Sequence, residues 1–464
     1  MARHSRKAAH RALHGRSSRS ARSATPFVVR FAVVAVVASL LVALLSGVAL
    51  AAFADGTSGG PMRITSATLS PPTSLSSSAV CTSASATGVT LDWSDAQSVV
   101  GGYSILRSTS PSGPFASVGT TGAGTTTYTV TPVTSPGAGD LYVAMSDPNG
   151  MDVLSTTTGT EAAKSSAGPS TAIAVTPDGS TALLAQPSAN AVVAVALSSD
   201  TASKPIGVGF DAAAIAITPD GSTAWIAGQN HVRSLNLATM ALGPALEVGF
   251  EAIAIAIAPD GSTAWLSGQG YVRPLSLASQ SFGQTLAPPG TQANFTSIRI
   301  APDGATAYLT DAAGHELWPL TLATRSWGSP VPLGFAPTAV AITANGTTAW
   351  VDGGDLVVPV TLPSGTLGNA VTASGAKFAG IAISPNGCWV YAADRSPANR
   401  IVPINTVTDT AAAGIPTDRR PYDIATAIPP TAYSYEVEAT RDLWTSPPSA
   451  ASAVTFGQPA QSSY

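Results

Sequence analysis

The chain has 464 residues, with 22 basic and 26 acidic side chains, and charged residues make up only 10% of it. Residues 1–30 hold eight basic side chains and no acidic one, which leaves 14 basic against 26 acidic side chains, a net charge of −12, in the remainder. This acidic body argues against nucleic acid as a partner. The 43 glycines and 36 prolines suit short strands and tight turns.

The first element is the uncharged segment Phe31–Ala54, which follows the basic tail directly. About 20 apolar residues span a bilayer as a helix, whereas a secretory core segment has about 7–15. We therefore predict a transmembrane signal anchor at 31–54, with cleavage as a signal peptide after Ala51 or Ala54 as the alternative. The positive-inside rule leaves residues 1–30 as a cytoplasmic tail and exports everything after Asp55. Arginines outnumber lysines by 18 to 4, which favours a bacterial source.

Residues 55–65 are predicted to be a flexible linker. Gly56–Gly60 fits the G-x-S-x-G pattern, but it lacks the strand, turn and helix that a nucleophilic serine requires. Alternating strands follow, one of them with an inward-facing tryptophan. They are predicted at Val89–Ser94, Gly102–Arg107, Phe115–Thr120 and Thr126–Thr131.

One phrase recurs six times between residues 172 and 387. It reads A-I-A-V-T-P-D-G at Ala172–Gly179, and its final glycines are separated by 42, 40, 43, 42 and 41 residues. In each unit a β-branched run leads into an Asp-Gly or Asn-Gly turn, and two further strands and a weaker fourth follow. Four strands in about 41 residues are typical of a β-propeller blade, whereas helical repeats need a 3.6-residue periodicity.

The ends of the repeat region predict a seventh, divided blade. Tyr422–Ile428 resembles a first strand without successors, and Asp140–Ser146 with Met151–Thr157 resembles strands two and three without a first strand. Joining the two halves closes the ring without a free edge. Residues 139–428 are therefore predicted to form a seven-bladed propeller.

The P-D-G-S-T-A-W pattern at Pro219–Trp225 resembles that of YVTN-type propellers. This family contains surface-layer proteins, lactonase-like enzymes and proteins of unknown role. The resemblance covers about 290 residues and implies the fold. It transfers no active-site residue, because the chain shows no lactonase-like catalytic motif.

The segment after the repeats predicts the end of a second domain. Ala432–Ala439 resembles the Y-x-Y-x-V-x-A strand of fibronectin type III domains, and Ala451–Phe456 follows as a last strand. Residues 66–135 resemble the first strands of the same family, with G-Y-x-x-x-R-S at Gly102–Ser108. The predicted architecture is all-β: a propeller inserted into a fibronectin type III-like sandwich of residues 66–135 and 430–457, with a disordered tail at 458–464. Two fragments without a shared fold are the alternative.

A recurrent large side chain in the second strand and the two cysteines are candidates for a role. A large side chain, in most units aromatic, recurs four residues after the turn glycine and is predicted to fill the wedge between blades rather than to stack on sugars. It is found at Leu183, Trp225, Trp265, Tyr308, Trp350 and Tyr391, with Tyr142 in the divided blade. The two cysteines, Cys81 and Cys388, are predicted to be buried free thiols in different domains, with a bridge between the domains as the alternative.

No catalytic, cofactor or metal site is predicted. The histidines beyond the tail, His231 and His315, fall in different blades, and no His or Cys cluster has metal-ligand spacing. Charged residues at the entry to first strands could converge at one mouth of the central channel. They are Asp211, Glu251, Arg419, Arg420 and Asp423, with solvated loop charges as the alternative interpretation.

Three functional hypotheses remain. The first is a non-catalytic cell-surface module that binds a glycan, a cell-wall polymer or a protein on the outer side of a bacterial membrane. The second is a structural spacer. The third is a hydrolase of the lactonase-like type, or an accessory to polysaccharide breakdown, by analogy of fold.

Overall fold

The computed structural model describes residues 50–51, 66–67, 69–83, 86–95, 100–110, 112–133, 140–146, 150–156, 158–290, 293–426, 431–441 and 444–456. Of the predicted anchor at 31–54, only Leu50–Ala51 is described, as a short strand paired with Ser66–Ala67, so the predicted helix does not include these two residues. The rest of the anchor, the basic tail, the linker at 55–65 and the tail at 458–464 lie outside these residues. No helix among the described residues is long and apolar enough to cross a membrane.

Residues 140–426 form seven antiparallel sheets of four or five strands. We number them 1 to 7 in chain order, sheet 1 being the divided one. Each has a first strand, which for sheets 1 to 7 is Pro421–Thr426, Ala172–Val175, Ala214–Ile217, Ala254–Ile257, Phe295–Ile300, Ala339–Ile342 and Phe378–Ile383.

The second strand of each sheet pairs with the first and with the third. The second strands are Asp140–Met145, Thr181–Gln186, Thr223–Gly228, Thr263–Gly268, Thr306–Asp311, Thr348–Gly353 and Trp389–Asp394. The third strands are Gly150–Ser155, Ala191–Ala196, His231–Asn236, Tyr271–Ser276, Glu316–Thr321, Leu356–Thr361 and Arg400–Asn405. In sheet 2 a 3-10 helix, Pro187–Ala189, joins the second strand to the third.

The outer edge of each sheet is short, except in sheet 1, where it is Thr160–Ser166. In the other sheets one or two segments of two residues pair with the third strand. They are Thr201–Ala202, Ile206–Gly207, Ala241–Leu242, Leu246–Glu247, Ser281–Phe282, Ser326–Trp327, Val331–Pro332, Thr366–Leu367, Val371–Thr372, Thr410–Ala411 and Ile415–Pro416. Such short edges offer little template for pairing with another chain.

The sheets are arranged as a β-propeller. The first strand of each sheet contacts the first strand of the next, and that of sheet 7 contacts that of sheet 1. Apolar clusters fill the space between neighbouring sheets. In one of them Trp225 of sheet 3 packs with Ile255 and Ile257 of sheet 4, which explains why the first strands read as almost continuous aliphatic runs.

Sheet 1 closes the ring with strands from both ends of the repeat region. Its order is Thr160–Ser166, Gly150–Ser155, Asp140–Met145 and then Pro421–Thr426. In the last pair Ile424 lies opposite Val143. The predicted joining of a C-terminal first strand to N-terminal later strands is therefore present in the structure.

The turn between the first and second strands explains the recurrent glycine. In sheets 2 to 7 this glycine has a positive φ of 68–73°, a conformation that glycine adopts at no steric cost. The residue before it is Asp or Asn, whose side chain accepts hydrogen bonds from the turn. In sheet 2, Asp178 accepts from the Thr176 hydroxyl at 2.6 Å and from the Ser180 amide at 3.0 Å.

A second group of strands comes from both sides of the propeller. One sheet has the order Thr73–Ser83, Ala86–Ser94 and Thr127–Val133. The other has the order Trp444–Thr445, Thr431–Arg441, Gly102–Ser108 and Ala116–Gly122, and Ser452–Phe456 also pairs with Thr431–Arg441. Val437 lies opposite Ile105 across the junction between the two chain segments.

These two sheets share one apolar core. Trp93 and Tyr103 pack edge to face, with 5.2 Å between their ring centroids. Tyr435 and Val437, which follow the propeller in sequence, are fully buried in the same cluster as Val89. The residues before and after the propeller thus depend on each other for burial.

Cys81 and Cys388 form a disulfide, with 5.5 Å between their Cα atoms. The prediction of two free thiols was therefore wrong. Cys81 lies in the strand Thr73–Ser83, and Cys388 lies in the turn that precedes the second strand of sheet 7. The bond links the two-sheet unit covalently to the propeller.

Candidate functional site

The strand register identifies equivalent positions around the ring. The residue of the first strand that lies opposite the large side chain of the second strand is alanine in six of the seven sheets. These alanines are Ala174, Ala216, Ala256, Ala341, Ala382 and Ala425. In sheet 5 the same position is Arg299, opposite Tyr308.

A second departure from the small residues is Asp423 in sheet 1. Two residues before the position just described, sheets 2 to 6 carry Ala172, Ala214, Ala254, Ser297 and Ala339. Asp423 is fully buried. Its carboxylate accepts hydrogen bonds from the amide of Ile173 in sheet 2 at 3.0 Å and from its own neighbour Ile424 at 2.9 Å.

Arg299 and Asp423 interact electrostatically across the centre of the ring. Burial lowers the pKa of Arg299 to about 10, and the charge of Asp423 acts in the opposite direction. Nη1 of Arg299 donates to the carbonyl of Ile298 at 3.0 Å. The guanidinium stays charged at neutral pH, since even this lowered pKa lies well above 7.

A third buried ionisable side chain is Asp352, near the end of the second strand of sheet 6, and it interacts electrostatically with Asp423. Oδ1 accepts a hydrogen bond from the amide of Ala339 at 2.7 Å, whereas Oδ2 has no hydrogen-bond partner among the residues that the structure describes. Burial raises the pKa of Asp352 to about 7; Asp423 adds to the rise and Arg395 opposes it. The carboxyl group therefore exchanges its proton close to neutral pH.

Cations gather at the end of the channel where the first strands of sheets 7 and 1 begin. We call Lys377, Arg395, Arg419 and Arg420 the mouth cluster. Lys377 immediately precedes the first strand of sheet 7, and Arg420 that of sheet 1. Arg395 lies beside Lys377, because its amide donates to the Lys377 carbonyl at 3.0 Å.

Tyr422 joins the mouth cluster across the junction of the two sheets. The Arg395 guanidinium lies over its ring, 5.6 Å from the centroid. Lys377, Arg395 and Arg420 are exposed, and Arg419 and Tyr422 are half-buried. A cationic surface with an aromatic ring at its centre suits an anionic ligand that also has a face to stack on.

The predicted mouth residues divide into three groups. Arg419 and Arg420 belong to the mouth cluster. Asp211 and Glu251 precede the first strands of sheets 3 and 4, elsewhere on the rim, and Glu251 accepts a hydrogen bond from Gln269. Asp423 is not at the surface, because it is buried inside the ring.

Sequence reasoning missed Lys377 and Arg395. Lys377 has a detectable signal, because it precedes its first strand just as Arg420 precedes the first strand of sheet 1. Arg395 has none, since it is 18 residues from Lys377 and only strand pairing brings the two together. The buried Arg299 was visible as the R of S-I-R-I-A-P-D-G, an exception in a run of alanines.

The remaining residues considered in the sequence have structural roles. The large side chains opposite the alanines are buried between sheets, so they cannot stack on a bound sugar. His231 begins the third strand of sheet 3 and stacks on Phe210, with 5.6 Å between ring centroids, whereas His315 precedes the third strand of sheet 5. Within the described residues no three His, Cys, Asp or Glu side chains are grouped so that they could hold a metal ion.

Comparisons with known proteins support the fold alone. No family model and no curated protein matches the chain. A functionally unknown protein from Desulfotomaculum acetoxidans aligns over 63% of this chain and 100% of its own, with 16% identity and a TM-score of 0.57. Hydrazine synthase from Kuenenia stuttgartiensis aligns over 58% of this chain and 97% of its own, with 18% identity and a TM-score of 0.51.

A β-propeller domain of Cps50 (Swd1) from Myceliophteria thermophila also aligns with the chain. The alignment covers 56% of this chain and 93% of that domain, with 12% identity and a TM-score of 0.49.

Proposed function

We propose that this protein is a non-catalytic binding module, displayed on the outer side of a bacterial membrane, that holds an anionic glycan or cell-wall polymer at the mouth cluster. The observation that carries the proposal is local. Lys377, Arg419, Arg420 and Tyr422 lie at the starts of the first strands of sheets 7 and 1, and Arg395 contacts Lys377 and Tyr422. The body around them holds only 14 basic against 26 acidic side chains after residue 30. A surface on which one sign of charge dominates attracts ligands of the opposite charge, and Asp418 beside Arg419 offsets only part of the positive charge.

The chemistry of the mouth cluster favours carboxylate or phosphate groups spaced along a polymer. Arginine binds such groups through two parallel hydrogen bonds, and lysine contributes a point charge. Tyr422 adds a ring on which the apolar face of a sugar can pack. The cations lie at the surface rather than in a deep pocket, which suits a chain that passes across the mouth.

In the architecture that we infer for this role, the two-sheet unit supports the propeller. We take the seven sheets as the blades of a seven-bladed, YVTN-type propeller, inserted into a fibronectin type III sandwich and tethered by the segment 31–54. The disulfide between Cys81 and Cys388 supports an extracytoplasmic location, because stable disulfides form in oxidising compartments. The sandwich then holds the propeller by both of its ends and by one covalent bond.

Binding of the full-length chain to immobilised polymers tests the proposal. The probes are polygalacturonate, poly(glycerol phosphate) and neutral dextran. We expect the chain to bind at least one acidic polymer and not dextran, and the binding to weaken as salt is added. The triple variant Lys377→Ala, Arg395→Ala, Arg420→Ala should lose about tenfold or more in affinity, since charge-assisted hydrogen bonds are its main source.

A variant with the same change in net charge serves as the control. Lys204, Arg325 and Arg441 are exposed cations elsewhere on the described surface. Replacing all three by alanine should leave the affinity within about twofold, because screened charges far from a ligand contribute little. Equal losses in the two triple variants, or no binding of the natural chain to either acidic polymer, would leave a spacer, a protein ligand or a hydrolase as the better hypothesis.

A further inference from the structure

The hairpin between the second and third strands of sheet 5 brings two carboxylates together. Asp311 ends the second strand and Glu316 begins the third, and the strand register places them directly opposite each other. A Cβ atom built on Gly314, which lies between them in the chain, would be 2.5 Å from Oδ2 of Asp311 and 3.0 Å from Oε2 of Glu316. The two oxygens therefore face the same small space beside the Gly314 backbone.

Both of these oxygens are buried, and neither has a hydrogen-bond partner among the residues that the structure describes. Asp311 is fully buried. Its other oxygen, Oδ1, accepts hydrogen bonds from the amides of Asn294 at 2.7 Å and Ala313 at 3.0 Å, and these bonds fix the orientation of the carboxylate. A buried carboxylate oxygen without a partner is costly, and like charges opposite each other on paired strands add to the cost. The pair therefore requires a cation or a proton.

Sheet 7 shows how an aspartate at the same repeat position is neutralised by the chain itself. Asp394, like Asp311, lies three residues after the large side chain of its second strand. Its Oδ1 accepts a hydrogen bond from the amide of Lys377, the residue before the first strand, at 2.9 Å. Its Oδ2 accepts one from Nε of Arg400 at 3.0 Å, and Arg400 is the residue opposite it in the strand register. In sheet 5 the residue opposite the aspartate is Glu316, so an acid replaces the cation.

We propose that the hairpin Asp311–Glu316 binds a calcium ion, with Oδ2 of Asp311 and Oε2 of Glu316 as two of its ligands. Calcium takes about six to eight oxygen ligands at about 2.3–2.6 Å and tolerates irregular geometry, whereas magnesium demands a regular octahedron. Because the hairpin offers two acidic side chains rather than three, backbone carbonyls and water complete the coordination. Ala313, Gly314 and His315 are exposed, so the ion enters directly from solvent. Such a site suits the weak end of the range for calcium, a Kd of about 0.1–1 mM.

Calorimetry and thermal melting of the full-length chain with calcium chloride alone test this. We expect saturable calcium binding and a melting temperature that rises with calcium, because an ion that binds only the folded state stabilises it. Glu316→Gln removes one charge and keeps the shape of the side chain, so it should weaken calcium binding by about tenfold or more.

Glu247→Gln is the matched control. Glu247 is exposed in the short outer segment Leu246–Glu247 of sheet 3, and it lies opposite His231 rather than opposite a second acid. The change in net charge is the same as in Glu316→Gln. Calcium affinity should stay within about twofold, because a single exposed charge away from the ion contributes little. An equal loss of affinity in the two variants overturns the proposal.

A second variant copies the pair found in sheet 7. Glu316→Arg places a guanidinium opposite Asp311, as Arg400 lies opposite Asp394. It should melt above the calcium-free natural chain, because the buried carboxylate then has a cation, and its melting should no longer respond to calcium.

Three further results overturn the proposal. The first is the absence of saturable calcium binding by the natural chain. The second is calcium binding that Glu316→Gln retains in full, because the ion would then be held elsewhere. The third is a melting temperature that ignores calcium but rises on acidification, which would identify a proton shared by the two carboxyl groups. The mouth cluster can fail its own test without affecting any of these results.

Discussion

The two halves of the propeller differ in regularity, although they share one repeat. In sheets 2, 3 and 4 the first strands have four residues, carry alanine at both small positions and pair without interruption. In sheets 5, 7 and 1 the first strands have six residues, and each pairing contains a register shift. Sheet 6 keeps a regular first strand but places Asp352 opposite it. We call sheets 2 to 4 the regular half and sheets 5, 6, 7 and 1 the irregular half.

Within the part of the chain that the structure describes, the buried charges on or opposite the first strands belong to the irregular half. Arg299, Asp352 and Asp423 are contributed by sheets 5, 6 and 1, and the mouth cluster is contributed by sheets 7 and 1. The disulfide also enters at sheet 7. Register shifts are common where a side chain must be aimed away from the regular pattern. Under the proposed function, the regular half serves as scaffold and the irregular half carries the mouth cluster.

The largest loss of stability is expected from removing a large buried side chain, and this loss should be equal in the two halves. Trp225 in sheet 3 and Trp350 in sheet 6 occupy the same repeat position and are 3% and 2% exposed. Replacing either by alanine should lower the free energy of unfolding by about 3–5 kcal/mol, because each leaves a cavity between sheets. Urea unfolding of the two variants measures the loss.

A milder variant controls for the size of the cavity. Sheet 2 carries Leu183 at this position, so Trp225→Leu should cost distinctly less than Trp225→Ala. If Trp350→Ala were nearly neutral while Trp225→Ala was not, the halves would differ in packing as well as in charge, and the division into scaffold and binding half would need revision.

The next largest loss of stability is expected from removing the disulfide, which is attached to the irregular half at sheet 7. The disulfide closes a loop in which the cysteines are 307 residues apart. Removing a disulfide costs about 2–4 kcal/mol, chiefly by releasing the unfolded chain. The double variant Cys81→Ser, Cys388→Ser should therefore melt at a lower temperature than the natural chain.

Melting in the presence of a reductant is the control for this prediction. It should lower the melting temperature of the natural chain towards that of the double variant, and it should leave the variant itself unchanged. A natural chain whose melting ignores reductant, or a double variant that melts like the oxidised protein, would show that the bond does not hold the propeller to the two-sheet unit.

The same comparison explains what could be predicted from the sequence. The repeat of 40 to 43 residues predicts strands and turns because a blade must bury both faces at fixed intervals. The closing strand Pro421–Thr426 was identifiable from its incomplete pattern. The partnership of Cys81 with Cys388 was not, since a separation of 307 residues carries no information about distance in space.

The candidate site was predictable only in part, for a related reason. Arg419 and Arg420 stand out as adjacent charges before a strand. Asp423 was expected at the mouth, but the register shift between Pro421 and Asp423 places its carboxylate inside the ring. Lys377 and Arg395 meet through strand pairing within sheet 7, which residue spacing alone does not show.

The smallest effect concerns the turns, where the residue before the glycine changes between sheets 5 and 6 rather than at the boundary of the halves. Sheets 2 to 5 have aspartate before the turn glycine, and sheets 6 and 7 have Asn345 and Asn386. Both residue types accept the same hydrogen bonds: Asn345 accepts from the Thr343 hydroxyl at 2.7 Å and from the Thr347 amide at 3.1 Å. Only aspartate titrates. The hydrogen bonds from the Thr176 and Thr218 hydroxyls are the main reason why the pKa values of Asp178 and Asp220 are lowered.

A carboxyl group whose pKa is lowered by folding stabilises the protein above its ordinary pKa of 3.8, and this contribution is lost as the pH falls through the folded value. The variant Asp178→Asn, Asp220→Asn should therefore melt within about 2 °C of the natural chain at pH 7. Below pH 3.8 the natural chain should lose stability relative to the variant, and melting curves across this range measure the difference. Parallel loss in both proteins would place the acid sensitivity in other carboxyl groups, such as those of the irregular half.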